Sequence, residues 1–212
     1  MDRYQRIFAD NKAWADAHTE RDPEYFRRRA ESQSPEFLYI GCSDSRAPAN
    51  SVTGTQPGEL FVHRNIANQV QPSDLNMLAV LQFAVEVLDV RHIIVTGHSS
   101  CGGVKAALGD ARFGLVDNWL GNLRAIRRLH AAELAALPND AERAERLGEL
   151  NVIEQVYHLT LTPTIRDAWA RGRRPILHGL MFDIGTGYLR EIVGGIDGTD
   201  AVAAKLAHSA FV

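Results

Sequence analysis

His92-Ile93-Ile94-Val95-Thr96-Gly97 leads into His98-Ser99-Ser100-Cys101-Gly102-Gly103, and Phe37-Leu38-Tyr39-Ile40-Gly41 leads into Cys42-Ser43-Asp44-Ser45-Arg46. Each leading run is short, apolar and rich in β-branched or aromatic residues, as a strand buried on both faces is. As parallel neighbours, the two strands bring Cys42, His98 and Cys101 together at their carboxyl ends, where open α/β sheets form their crevice. Two thiolates and an imidazole suit zinc. They leave a fourth position for water, substrate or another ligand, which is the arrangement of a catalytic rather than a closed structural site. Taken singly, each of the three also fits a small buried core position, and two cysteines can pair as a disulfide.

Outward from these stretches, strand and helix signals alternate. Glu59 to Arg64 reads as a short strand. Leu75, Leu78, Leu81, Val85 and Leu88 recur at helical spacing after Ser73-Asp74. Gly102-Gly103 opens a helix through Leu108, where bare backbone N–H groups can approach an anion or a metal-bound thiolate. Residues 113 to 172 read as mostly helical, broken at Pro138-Asn139-Asp140 and Pro163. Pro175 to Phe182 and Tyr188 to Val193 read as two strands joined by Gly185-Thr186-Gly187, the second antiparallel at the sheet edge. The tail after Gly194-Gly195 is Ala-rich and ambiguous. The predicted fold is α/β: a mainly parallel central β-sheet with an antiparallel edge strand, flanked by helices, plus an N-terminal helical arm over 1–31. With no repeat or linker, residues 1–212 read as a single domain.

Asp44 and Arg46 stand two and four residues beyond Cys42. In an extended loop alternate residues share a side, so Cys42, Asp44 and Arg46 are expected to line one wall. The aspartate can close the site as a metal ligand, or pair with Arg46 and accept a hydrogen bond from a metal-bound water. A surface ion pair is the plainer alternative. Two thiolates cancel the formal charge of Zn²⁺, so its water is expected to be less acidified than at a three-histidine site.

Cys-Ser-Asp-Ser-Arg followed by His-x-x-Cys-Gly-Gly resembles the β-class carbonic anhydrases. So do Pro57 to Asn68, Asn118-Trp119-Leu120 and Glu149-Leu150-Asn151-Val152, and the likeness runs from about Gln33 to Arg190. The resemblance implies a zinc enzyme with one zinc per chain that reversibly hydrates carbon dioxide to bicarbonate by zinc-hydroxide attack. It implies Cys42, His98 and Cys101 as ligands, with Asp44 a fourth ligand only in a closed state. It implies Asp44 and Arg46 as the catalytic pair, and Gln33, Phe61, Ile66, Phe83 and Gly102 as substrate-binding residues. Tyrosine is common in the family where Phe83 stands. The resemblance also implies a homodimer, often paired into tetramers, whose N-terminal arms wrap the partner. One branch of the family binds regulatory bicarbonate with a Trp-Arg-Tyr set. This chain has Tyr39, Arg64 and Phe182 there, so such regulation is expected to be weak or absent. Two other functions fit the same residues: hydrolysis of carbon disulfide or carbonyl sulfide, and zinc or bicarbonate sensing with little turnover. A thiol redox role is disfavoured, since there is no Cys-x-x-Cys.

At 212 residues, 45% hydrophobic and 23% charged, the chain is ample for one globular α/β domain. A net charge of −3 gives no reason to expect nucleic acid or an anionic membrane surface as partner. The first residues mix acids and bases without an apolar core, so no secretory signal is expected. No apolar run approaches the roughly 20 residues of a membrane span. The expected location is cytoplasmic, where two cysteines point to metal or catalysis before a disulfide. Of the eight histidines, His18, His63, His92, His130, His158, His178 and His208 remain as possible proton carriers, and none stands out.

Overall fold

The computed structural model describes residues 2–173 and 175–206, and the chain divides after Ser34 into two compact units. The first holds α1 (Arg3–Arg21) and α2 (Tyr25–Glu31). Asp2 starts α1 with a capping box: its carboxylate accepts the Gln5 N–H at 2.8 Å while the Gln5 side chain accepts the Asp2 N–H at 3.3 Å. No residue of α1 is buried, and Tyr4, Ile7, Phe8 and Trp14 are exposed along it.

The second unit is the α/β body. Its elements are β1 (Phe37–Cys42), α3 (Ala49–Thr53), β2 (Leu60–Asn65), α4 (Leu75–Gln82), β3 (His92–His98), α5 (Gly102–Leu108), α6 (Leu115–Trp119), α7 (Gly121–Leu129), α8 (Ala131–Ala135), α9 (Asp140–Leu161), α10 (Pro163–Ala170), β4 (Ile176–Phe182), β5 (Leu189–Ile196) and α11 (Thr199–Lys205). The sheet order is β2-β1-β3-β4-β5. β1 pairs in parallel with β2 and β3, β3 pairs in parallel with β4, and β5 runs antiparallel on the edge. The expected α/β architecture is therefore the one observed.

The central strands are covered on both faces, which is why β1 and β3 read as near-continuous apolar runs. Leu38, Ile40, Ile93 and Val95 join residues of α4, α9 and α10 in one core cluster. A second cluster gathers Cys42, Ala67 and Cys101 with Val104, Leu120, Leu123, Leu147 and Leu150. α9 lies close on the sheet because the strands offer glycine beneath it. A Cβ on Gly97 would come within 2.7 Å of Val152 Cγ2, and one on Gly179 within 2.6 Å of Val152 Cγ1.

Several boundaries differ from the sequence reading for local reasons. The helix capped by Asp74, which accepts from Asn76 N and Met77 N, is regular only to Gln82. It continues as a π-type turn over Phe83–Val87 and stops at Asp89 in the left-handed region. The helical stretch before Pro138 is three short helices, interrupted at Leu120 and His130. β5 runs on to Ile196 because Gly195, at φ 66°, absorbs an irregularity that an L side chain would resist.

Candidate metal centre

Cys42 is the last residue of β1 and His98 the last of β3. Gly41 is paired with Thr96, so the two ends lie side by side. Ser99 N–H is held by the Phe182 carbonyl at 2.9 Å, and Ser100 takes φ 56°. That left-handed residue turns the chain back and delivers Cys101 to the same point at the start of α5. The donor atoms of Cys42, His98 and Cys101 all lie within 4.8 Å of one another, and all three residues are buried.

Both cysteines are free, with sulfurs 3.9 Å apart. A disulfide needs about 2.05 Å, whereas two thiolates on a tetrahedral zinc at about 2.3 Å each would stand roughly 3.8 Å apart. His98 Nδ1 donates to the Ser99 carbonyl at 2.9 Å, which leaves Nε2 with its lone pair toward the sulfurs. That buried Nε2 has no hydrogen-bond partner. A buried polar atom without a partner is costly unless something ligates it. The donor set therefore fits zinc.

The sulfurs are not alike. Cys42 is lowered to about 4 against its burial, chiefly by the Cys101 S–H donated to it, then by the neighbouring His98 ring, with smaller help from the backbone N–H groups of Asp44 and Ala67. Cys101 moves up in return, even though the Gly103 and Val104 N–H groups at the start of α5 hydrogen-bond its sulfur. Gly103 packs so closely on the neighbouring turn that a Cβ there would meet Ile66 Cγ2 at 2.9 Å and Ala67 Cβ at 3.1 Å.

Asp44 faces this set, with Oδ2 3.8 Å from His98 Nε2. Arg46 holds it in a fork: Nε reaches Oδ1 at 2.9 Å and Nη2 reaches Oδ2 at 2.7 Å. The guanidinium keeps the carboxyl far below the usual carboxylate range. The pair does not arise from an extended loop, as the alternation of residues suggested. The chain turns instead: Ala47 N–H bonds the Asp44 carbonyl at 3.1 Å, and Arg46 N–H bonds Asp44 Oδ1 at 2.9 Å. Arg46 Nη2 also reaches the Ser100 carbonyl at 3.3 Å, tying the two ligand loops together.

Arg64 does work the sequence reading missed. Its Nε donates to the Cys42 carbonyl at 2.7 Å, and its Nη2 to the carbonyls of Asp44 at 2.7 Å and Ala47 at 3.2 Å. It clamps the ligand loop. The only signal for this was register, since Arg64 lies opposite Gly41. Trp119 and Asn151, quoted in the sequence only as parts of a resemblance, hold the carbonyls of Ile66 and Ala67 at 2.7 and 3.0 Å.

The substrate residues implied by the resemblance divide. Gly102 follows Cys101 with open space where a Cβ would be, and Ile66 is exposed beside Gly103. Phe61 and Phe83 stack on each other, ring centres 5.8 Å apart. Phe61 lies four residues before Asn65, which pairs with Cys42, so about 13 Å of strand separates it from the donor set. Phe61 therefore stands apart from the donor set along its strand, with Phe83 stacked on it. Gln33 is exposed and belongs to the first unit. A cavity of about 730 Å³ between α9, α10 and α11, lined in part by Tyr157 and Trp169, includes none of the donor residues. His92 and His178 pair with each other at 3.1 Å, and His208 lies outside the described residues.

An open, mainly parallel sheet with a Cys-His-Cys donor set in its strand-end crevice defines the class: an α/β protein with a catalytic-type metal centre. The sequence profile of the carbonic anhydrase family matches residues 37–189. A carbonic anhydrase of Emericella nidulans is 46% identical over 189 residues, which is 89% of this chain and 83% of the relative. A solved tetrameric β-carbonic anhydrase of Sordaria macrospora is 46% identical, with a TM-score of 0.85 over 89% of this chain and 95% of its own. A Coccomyxa β-carbonic anhydrase, solved with acetazolamide, is 35% identical with a TM-score of 0.93 over 100% of this chain and 97% of its own. The chain belongs to the β-carbonic anhydrase family of enzymes.

Proposed function

We propose that the chain catalyses the reversible hydration of carbon dioxide with one zinc held by Cys42, His98 and Cys101. The observation that carries this is the buried, unpartnered His98 Nε2 beside two free thiols, with an arginine-held carboxylate 3.8 Å away. Zinc bound there supplies a water acidified toward neutral pH as the nucleophile.

The chain's own residues do the rest. Arg46 draws Asp44 away from the donor set, so the fourth direction stays open. Asp44 stays ionised because of that pairing. It accepts the nucleophile's O–H in a hydrogen bond and fixes its orientation. Held so low, it does not keep the proton, which passes on to solvent or buffer. Release of Arg46 would let Asp44 turn onto the donor set and close the site. The Gly102 backbone and Ile66 flank the substrate's approach. Gln33 keeps the role that the resemblance gives it. Phe61 and Phe83 serve a second copy's site, in keeping with self-association as a dimer or dimer of dimers. The Sordaria relative is tetrameric, and the exposed apolar residues of α1 offer surface for a partner. No helix among the described residues is long and apolar enough to cross a membrane. A cytoplasmic location is part of the proposal, in keeping with two cysteines kept as free thiols.

Prolonged dialysis against a strong chelator is expected to remove zinc and activity together, and stoichiometric zinc to restore both. Full turnover of protein shown to be free of metal would overturn the proposal. Bicarbonate is expected to inhibit without steep cooperativity, because three of the five Arg64 N–H donors are already given to carbonyls and Phe182 has no hydroxyl. Steady-state inhibition curves check this. A sigmoidal curve that Arg64→Lys makes hyperbolic would contradict it.

A further inference from the structure

We infer that Trp119, seconded by Asn151, is a positioning residue for Cys42: it fixes the Ile66–Ala67 peptide so that the Ala67 N–H points at the Cys42 sulfur. The inference rests on the zinc reading above.

Ala67 and Asn68 sit at φ 62° and 46°, a region that residues with a Cβ adopt only when their surroundings dictate it. The surroundings here are specific. Trp119 Nε1 donates to the Ile66 carbonyl at 2.7 Å, with a longer contact of 3.4 Å from Gln69 Nε2. In a planar trans peptide the C=O and N–H point in opposite directions. Holding the Ile66 oxygen therefore aims the Ala67 N–H, and Ala67 packs in the same buried cluster as Cys42, toward whose sulfur that N–H is directed. The following peptide is fixed as well. Fully buried Asn151 donates from Nδ2 to the Ala67 carbonyl at 3.0 Å. Gln155 Nε2 donates to Asn151 Oδ1 at 2.9 Å, which sets the orientation of the Asn151 amide. Gln155 Oε1 in turn accepts the Val70 N–H at 2.7 Å.

Ala67 is thus gripped by α6 on one side and α9 on the other, and it presses on the bare Cα of Gly103, next to the other thiol ligand. An N–H donated to a thiolate fixes its direction and tunes how strongly it donates to a metal. Groups that orient metal ligands in this way are typically worth 10- to 100-fold in metal affinity.

The test is Trp119→Phe, which keeps the ring and removes only the N–H. Zinc affinity by chelator competition is expected to fall about 10-fold. The thiolate-to-metal charge-transfer band of the cobalt-substituted protein is expected to shift. Asn151→Asp, of the same shape but with no N–H to give, should act in the same direction. Leu159→Ala, a core change on α9 outside this network, should lower the melting temperature of the metal-free protein without moving either metal readout. Unchanged zinc affinity and an unchanged cobalt band in Trp119→Phe would overturn the inference. Should neither network variant fold, the wild-type protein loaded with cadmium-113 decides. The Ala67 amide proton should show scalar coupling to the metal through the sulfur, and no coupling overturns the inference. Wild-type protein that takes up no metal overturns the zinc reading instead, a result seen before any variant is compared.

Discussion

Cys42→Ser protein is expected to lose zinc and carbon dioxide hydration together, with turnover falling below about a thousandth of the wild-type value. Serine keeps the size of the side chain but offers a hydroxyl that does not ionise near neutral pH, and the thiolate is what binds metal. The substitution also leaves the Asp44 and Ala67 N–H groups facing a neutral oxygen instead of a thiolate. Cys101→Ser should behave alike, since the Gly103 and Val104 N–H groups address that sulfur in the same way. The fold should survive, because both cysteines are minor members of a cluster otherwise built by Val104, Leu120, Leu123 and Leu147. Apparent stability should fall through linkage. A ligand at 100 times its Kd stabilises the folded state by about 2.7 kcal/mol, and a variant that cannot bind zinc forfeits that. Metal analysis, circular dichroism and stopped-flow assays on one preparation check all three points. A serine variant that keeps both full zinc and full turnover would contradict the ligand assignment.

The second large effect is expected at Arg46. In Arg46→Ala the fork on Asp44 is gone, and the carboxylate is free to turn toward the donor set 3.8 Å away. Turnover should fall by about 100-fold while zinc is retained or bound more tightly. Asp44→Asn should also be slow, for a different reason: the site stays open, but the acceptor that orients the nucleophile is replaced by a poor one. The double variant is the informative measurement. If Arg46 acts through Asp44, then Asp44→Asn with Arg46→Ala should be no slower than Asp44→Asn alone, as expected for groups acting as a unit. Losses that multiply would show that Arg46 has a separate task. Little of this effect should appear in stability, because Arg46 is half exposed and such pairs contribute about 0–1 kcal/mol.

The donor set could be read from the chain because it depends on regularities that sequence displays. β1 and β3 are short apolar runs, their carboxyl ends face one crevice in any parallel pairing, and the ligands stand at those ends: Cys42 on the first, His98 and then Cys101 on the second. The antiparallel β5 was likewise announced by Gly185-Thr186-Gly187. What remained hidden depends on hydrogen bonds across register. Arg64 looks like any strand arginine until β2 is laid beside β1 and its guanidinium meets three carbonyls of the ligand loop. Trp119 and Asn151 look like core residues until the left-handed turn at Ala67 gives each a carbonyl to hold. The Asp44–Arg46 pair was foreseen for the wrong geometric reason, since a turn makes it and not an extended loop. Phe61 and Phe83 are known as substrate residues only through the resemblance. Phe61 stands about 13 Å of strand from the donor set of its own chain with Phe83 stacked on it, and we propose that the pair serves a partner's site.

We propose that Cys42, His98 and Cys101 hold a zinc that makes this chain a carbon dioxide hydratase. This is tested most directly by stopped-flow hydration at about pH 7.0 and 8.5, with zinc measured on the same sample. Turnover that is faster at the higher pH, with about one zinc per chain, is the result the geometry predicts. Zinc present without turnover at either pH would contradict the catalytic assignment, and protein without zinc would contradict the donor set itself.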